Sequence, residues 1–273
     1  MTDVIAVSPD WLAMREDADG RSRSRRLARA AARRLEEPLV VHDLGSGTGS
    51  MMRWLAPLLP GPQTWVLHDW NGDLLRVAAS VPAFDTRGDH VEVTASVEHF
   101  EHLRTDHLAG ASLVTASALL DVLTEDEVEA IVAACVAAGA PALLSLTVTG
   151  RVRIEPADPG DRVFEAAFND HQRRVEDGRR LLGPDAVAAA AAAFRRAGWI
   201  TRVAGSGWRL RAADRALADE WLEGWVGAAV EQRPALAEWG EEYLANRRRH
   251  LASGELRIIV HHADLLAFPP GTQ

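Results

Sequence analysis

Between residues 39 and 148 short apolar runs alternate with stretches of helical period. The runs fall at 39–44, 64–69, 90–95, 112–117 and 141–148, and each is bounded by turn-forming residues. Runs of that length read as strands buried on both faces. Between them the spacing predicts helices at about 48–59, 71–80, 99–108 and 124–138. Strand and helix in strict alternation predict a parallel sheet covered on both sides. The fourth helix opens on Thr124 followed by Glu127, a capping-box pair, and closes at Gly139.

Outside that span the pattern changes. Residues 21–36 read as one basic amphipathic helix, with Arg26, Arg29 and Arg33 on one face and Leu27, Ala31 and Leu35 on another. Residues 150–183 are rich in Pro, Gly, Asp and Arg and read as a long irregular connection. A helix is predicted from Pro184 to Gly198, with strands at 199–204 and 255–262. Two further helices are predicted between those strands. They carry Trp221, Leu222, Trp225, Val226 and Ala229 on one stripe and Leu236, Trp239, Tyr243 and Leu244 on the other. The expected organisation is a helical cap at 1–36, a core at 37–149, a connection at 150–183, and a C-terminal part at 184–273 with a helical insertion at about 212–254.

Composition narrows the chemistry. All 30 basic residues are Arg, which excludes a Schiff-base lysine, a phosphate-gripping lysine and a Tyr-Lys dehydrogenase pair. The single cysteine, Cys135, excludes intrachain disulfides and Cys-rich metal sites, and its apolar helical surroundings read as inert core. A net charge of −9 argues against a nucleic-acid or membrane partner. No apolar run has the length of a membrane span, and the first residues are too acidic for a signal peptide, so a cytoplasmic protein is expected.

The most informative stretch is Asp43-Leu44-Gly45-Ser46-Gly47-Thr48-Gly49, which leaves the first strand and opens a helix. Glycines permit a tight turn and a close approach of ligand to backbone. Asp43 beside that turn suits a cationic ligand better than a pyrophosphate. Asp69, at the end of the second strand, is placed to accept hydrogen bonds from both hydroxyls of a ribose.

These residues, with the five-strand rhythm and the segment 112–124, resemble the class I S-adenosylmethionine-dependent methyltransferases. The resemblance covers 37–148 well and 184–266 loosely. It implies a seven-stranded Rossmann-like α/β sheet of order 3-2-1-4-5-7-6 with the last strand antiparallel, and S-adenosylmethionine bound over the strand tips. By the same resemblance Gly45, Ser46, Gly47, Thr48 and Gly49 would wrap the methionine and ribose, and Asp69 would hold the ribose. Trp70 would pack on adenine, Ser96 and Val97 would meet its edge, and Ser117 would line the transfer site. The chain departs from the pattern at Ala95-Ser96 and Ala111-Ser112, where many members carry Asp, and in the insertion between its last two strands.

Several acceptors are argued against. No Asn/Asp-Pro-Pro-aromatic motif follows the fourth strand, no cysteine is available as nucleophile, and Asp121 alone makes a poor metal site, so no metal is expected. A small-molecule acceptor remains. Asn169, His171, Gln172 and Arg173, after the fifth strand, form a polar cluster where substrate contacts are common in such enzymes, and His171 is the candidate base. Arg15 or Arg23, in the N-terminal segment with Trp11 and Asp19, could pair with the methionine carboxylate or an anionic substrate. Trp208, Phe168 and part of the insertion's aromatic stripes are expected to wall the methyl-donor pocket. His42 and His68 point away from the neighbouring aspartates and read as structural, and His90, His99, His102 and His107 read as surface. Alternatives are an NAD-dependent oxidoreductase, an RNA methyltransferase using the basic helix, and a cofactor-binding module without turnover.

Overall fold

The computed structural model describes residues 7–98, 105–176 and 178–271. Among them seven strands form one mixed sheet: β1 (Leu39–Leu44), β2 (Gln63–Asp69), β3 (Glu92–Val97), β4 (Leu113–Ser117), β5 (Ala142–Glu155), β6 (Ile200–Leu210) and β7 (Arg257–Phe268). Their order is 3-2-1-4-5-7-6. β1 to β5 pair in parallel, and β7 is antiparallel to both β5 and β6. This is the Rossmann-like α/β order that the resemblance implied, and the insertion does not disturb the pairing of its last two strands.

The helices are α1 (Pro9–Ser22), α2 (Arg25–Ala32), α3 (Ser50–Leu55), α4 (Gly72–Ser80), α5 (Glu125–Ala138), α6 (Gly160–Gln172), α7 (Ala186–Arg196), α8 (Arg215–Gln232) and α9 (Ala237–Ser253). Strand alternation sorts the core. Val41, Trp65 and Leu67 face Leu27, Met52, Leu55 and Leu75 of α2, α3 and α4. Val114, Ala116 and Leu144 face Ile131, Cys135 and Phe194 of α5 and α7. Cys135 is fully buried, and burial pushes its thiol up to about 12, so it is inert. The capping box at Thr124 and Glu127 and the left-handed Gly139 form as the spacing predicted.

Two expectations are corrected. The basic stretch 21–36 is not one helix. The chain leaves α1 at Arg23 with ψ 140°, and Ser24 caps α2 by accepting from the N–H of Leu27 (3.3 Å). The N–H of Ser24 donates to Asp264 on β7 (2.6 Å), so tertiary contact breaks a locally helical sequence. The connection after residue 148 is not irregular either. β5 runs on past two register shifts to Glu155, because β7 supplies partners for its backbone, and α6 follows. The helix expected at 99–108 falls largely outside the described residues, as do His99 and His102; a 3-10 turn covers Thr105–Leu108.

The extended ends of β5, β6 and β7 build a second core. Ile154, Trp208, Leu210, Ile258 and Val260 pack with Phe164 of α6 and Leu222, Trp225 and Tyr243 of α8 and α9. The stripes of the insertion are spent here, with Trp221 stacked on Trp225 (5.2 Å) and Phe164 against Tyr243 (4.5 Å).

Asp264 ties these parts together. It is buried and accepts from the N–H of Leu146 (2.8 Å), the hydroxyl of Ser206 (2.5 Å) and the N–H of Ser24. Each buried donor left unpaired costs roughly 1–3 kcal/mol. Asp264→Ala is therefore expected to lower the urea unfolding free energy by on the order of 3 kcal/mol or more. A loss below about 1 kcal/mol would show that water replaces the carboxylate.

Candidate cofactor and acceptor site

Over the carboxyl ends of β1, β2 and β4 lies a cavity of about 230 Å³. Its floor is the glycine loop. Gly45, Gly47 and Gly49 have φ of 64°, 53° and 83°, a region that glycine enters without the penalty a Cβ brings. A Cβ at Gly47 would lie 3.2 Å from Leu12 of α1, so the N-terminal helix closes directly over the loop. α1 is fixed there by Glu16, whose carboxylate accepts two bonds from Arg53 of α3 (2.7 and 2.6 Å).

Two of the acids that line the cavity sit at the tips of β1 and β2. Asp69 accepts from the N–H of Gly47 (2.9 Å) and of Asn71 (2.9 Å). Burial raises its pKa, and those N–H bonds oppose the rise. Asp43 is 1% exposed. Its Oδ1 accepts from Thr115 (2.6 Å), while its Oδ2 is buried without a hydrogen-bond partner. Burial pushes the Asp43 carboxyl up to about 7, against the pull of the Thr115 hydroxyl and of Arg23.

Arg23 is the third charge. Its side chain is 1% exposed, where α1 ends. It donates to the hydroxyl of Ser117 at the β4 tip (3.0 Å) and to the hydroxyl of Ser50 at the start of α3 (2.8 Å), and Asp19 Oδ2 is 3.8 Å away. A buried guanidinium held mainly by neutral hydroxyls keeps much of its charge available to an anion.

Of the residues the sequence singled out, Asp43, Gly45, Ser46, Gly47, Thr48, Asp69, Trp70, Ser117 and Arg15 line the cavity. Gly49 lies behind it, where a Cβ would meet Ala78 and Arg53. Ser96 and Val97 end β3 but do not line it. Val97 is 64% exposed, and the Ser96 hydroxyl is 3.4 Å from Glu98. The α6 cluster is corrected. Asn169 donates to the carbonyl of Gly150 (2.7 Å), Gln172 packs at Gly183, and Arg173 pairs with Asp185 (2.6 Å). His171 Nε2 faces Glu231 of α8 at 3.5 Å and does not line the cavity. A general base must reach the proton it removes, so the base role of His171 is withdrawn. Trp208 and Phe168 belong to the second core, as do the aromatic stripes; Trp208 supports the site from behind by donating to Asp19 (2.8 Å).

Sequence reasoning weighed Arg23 only beside Arg15, and it missed the wall residues Leu119, Val122, Leu123 and Leu181 and the Arg179–Glu127 pair. Ser24, between Arg23 and Arg25, was the signal, since a Ser there can cap a new helix. The histidines hold structure. His42 Nδ1 lies 2.9 Å from His68 Nε2, and His68 Nδ1 meets Glu98. Burial lowers His42 to about 4, so it is neutral at pH 7. His107 is 3.0 Å from Glu98, and His90 is exposed beside Phe84. Among the described residues no group of three His, Cys, Asp or Glu is placed to hold a metal ion. No helix among them is long and apolar enough to cross a membrane.

No protein-family model matches the chain, and no curated protein does. Solved structures do. A putative type II methyltransferase from Anaeromyxobacter dehalogenans is 15% identical, with 91% of this chain and 97% of that one covered and a TM-score of 0.48. A methyltransferase from Thiobacillus denitrificans in complex with S-adenosyl-L-homocysteine is 14% identical, with 96% and 99% covered and a TM-score of 0.44. A cyclopropane synthase from Mycobacterium tuberculosis is 12% identical, with 88% and 82% covered and a TM-score of 0.46. The strand order and pairing of this chain are those of the class I methyltransferase fold.

The buried Asp43 gives a pH signature. A carboxyl raised from 3.8 to about 7 in the folded state costs almost nothing well below 3.8, where it is protonated in both states. The cost grows between these values and is complete above 7. Asp43→Asn is expected to stabilise the ligand-free protein by up to a few kcal/mol at pH 8 and by almost nothing at pH 3. Scanning calorimetry at the two pH values checks this, and a destabilisation of equal size at both would contradict it.

Proposed function

We propose that the chain binds S-adenosylmethionine and transfers its methyl group to a small-molecule acceptor. The observation that carries this reading is the pair of opposite charges across one cavity. The unpartnered oxygen of Asp43 faces it from β1, and Arg23 faces it from the end of α1. An amino-acid zwitterion suits that pair, its ammonium on Asp43 and its carboxylate on Arg23. Asp69, at the next strand tip, retains acceptor capacity for ribose hydroxyls, and Trp70 offers an aromatic face. A dinucleotide would bring its pyrophosphate to the loop beside Asp43, where like charges oppose, which disfavours the oxidoreductase reading.

When bound, the cofactor supplies an electrophilic methyl group on its sulfonium. The residues of the chain then orient and exclude. Ser117 and Arg23 fix the end of β4 that the transfer site adjoins, and Leu12 and α1 shut water from the loop. An ammonium on Asp43 favours the ionised carboxylate, so cofactor affinity is expected to weaken as pH falls from 8 to 6.

Calorimetry with S-adenosylhomocysteine and with NAD tests the reading. Binding of the first and not the second is expected. Asp69→Ala removes an acceptor whose charge-assisted bonds are worth about 1.5–3 kcal/mol each, so affinity should fall on the order of 10²-fold. Arg23→Met should weaken binding by a similar factor. Binding of NAD alone would overturn the proposal. Consumption of S-adenosylmethionine with a metabolite extract separates an enzyme from a binding module.

A further inference from the structure

The cavity extends past the residues that the cofactor reading uses. Beyond Ser117 its wall is Ala118, Leu119, Val122, Leu123 and Leu181. Ala118 has a φ of 54°, uncommon for a residue with a Cβ, and its N–H is held by the carbonyl of Ser145 (2.9 Å). That turn brings Leu119 against the glycine loop, where a Cβ on Gly45 would lie 3.0 Å from Leu119 Cδ1. The opposite wall is pinned. The N–H of Leu182 donates to the carbonyl of Leu123 (2.9 Å), and Leu181 forms a bridge with Thr124. Val122 stays 39% exposed, a large apolar side chain at the cavity rather than in a core.

The charged side chains that line this arm are paired with each other, while Asp121 of the same turn does not line it and keeps one oxygen buried without a hydrogen-bond partner. Arg15 closes on Asp19 with bonds of 3.0 and 3.3 Å, and the indole of Trp208 donates to the same carboxylate. Arg179 closes on both oxygens of Glu127 (2.7 and 2.8 Å), one of which also accepts from the N–H of Thr124 (2.8 Å). Asp43, Asp69 and Arg23 are taken up by the cofactor. An ionic acceptor would have to open one of these pairs and leave a half-buried partner uncompensated. An uncharged one meets no such penalty and removes apolar wall from water.

We propose that the acceptor is an uncharged, largely apolar small molecule seated in this arm, with its reactive atom at Ser117. The proposal rests on the S-adenosylmethionine reading, which fixes the donor half of the cavity. It is tested on protein saturated with S-adenosylhomocysteine by ligand-observed NMR titration of three matched probes, hexanamide, hexanoate and hexylammonium. Hexanamide should bind tightest, by about tenfold over either ion. Val122→Asp, at a partly exposed position that should not unfold the chain, places an unpaired carboxylate in the arm. It should weaken hexanamide by about tenfold and admit hexylammonium, with S-adenosylhomocysteine still bound as proof of fold. Tighter binding of either ion to the unaltered protein, binding of none of the three, or indifference to Val122→Asp would overturn the proposal. Should S-adenosylhomocysteine itself fail to bind, the donor reading falls, and the same titration on cofactor-free protein judges the arm separately.

Discussion

The guanidinium of Arg23 is carried into the interior where α1 ends, and much of the molecule is arranged to hold it there. Burial pushes its pKa down, and the carboxylates of Asp19, Asp43 and Asp264 oppose that push. A buried cation without such neighbours costs several kcal/mol. To bring Arg23 inward the chain has to break a helix, and the break is stabilised by Ser24, whose hydroxyl caps α2 and whose N–H meets Asp264. Asp264 in turn holds the bulge of β5 at Leu146, where φ is 55°, and reaches Ser206 on β6. The N-terminal segment, the glycine loop and the last three strands thus meet through one network of charges and hydrogen bonds.

The site is built at the expense of stability. Asp43 occupies a place where an apolar residue or an amide would suit the empty fold better, since one of its oxygens is buried without a partner. Such a group persists where a ligand of opposite charge completes it. The same logic separates the two halves of the cavity. The half at the glycine loop carries charges that are incompletely satisfied, at Asp43 and Arg23, while the charged side chains lining the neighbouring arm are closed upon each other.

The second core decides how that cavity is bounded. β5, β6 and β7 rise past the end of the sheet that carries the cavity, and α6, α8 and α9 pack on their extensions. Phe164, Trp225 and Tyr243 bury their area there, so the aromatic stripes brace the site rather than line it. α1 then spans from this second core to the glycine loop, with Ala18 and Trp11 packed in the former and Leu12 over the latter. The wall beyond Ser117 comes from shorter aliphatic residues of the β4–α5 turn and from Leu181.

The amino-acid sequence by itself determined the sheet alternation, the glycine loop, the acids Asp43 and Asp69 and the capped fourth helix. These depend on period, turn chemistry and neighbours a few residues apart, and such signals survive in any single chain. The resemblance supplied the strand order, Trp70 and Ser117, and also implied Ser96 and Val97 at an adenine edge, whereas the structure leaves both out of the cavity lining. The tertiary structure alone decided that the helix breaks between Ser22 and Arg25, that β5 continues to Glu155, that His171 turns toward Glu231, and that Arg23 rather than Arg15 is the buried cation beside the glycine loop. Each of those outcomes is set by a partner far away along the chain: Ser24 meets a carboxylate 240 positions on, and β5 is extended because β7 returns beside it. Local pattern carries no information about such partners. A polar stretch becomes strand or loop, and a charged side chain becomes buried or solvated, according to what the fold brings opposite it.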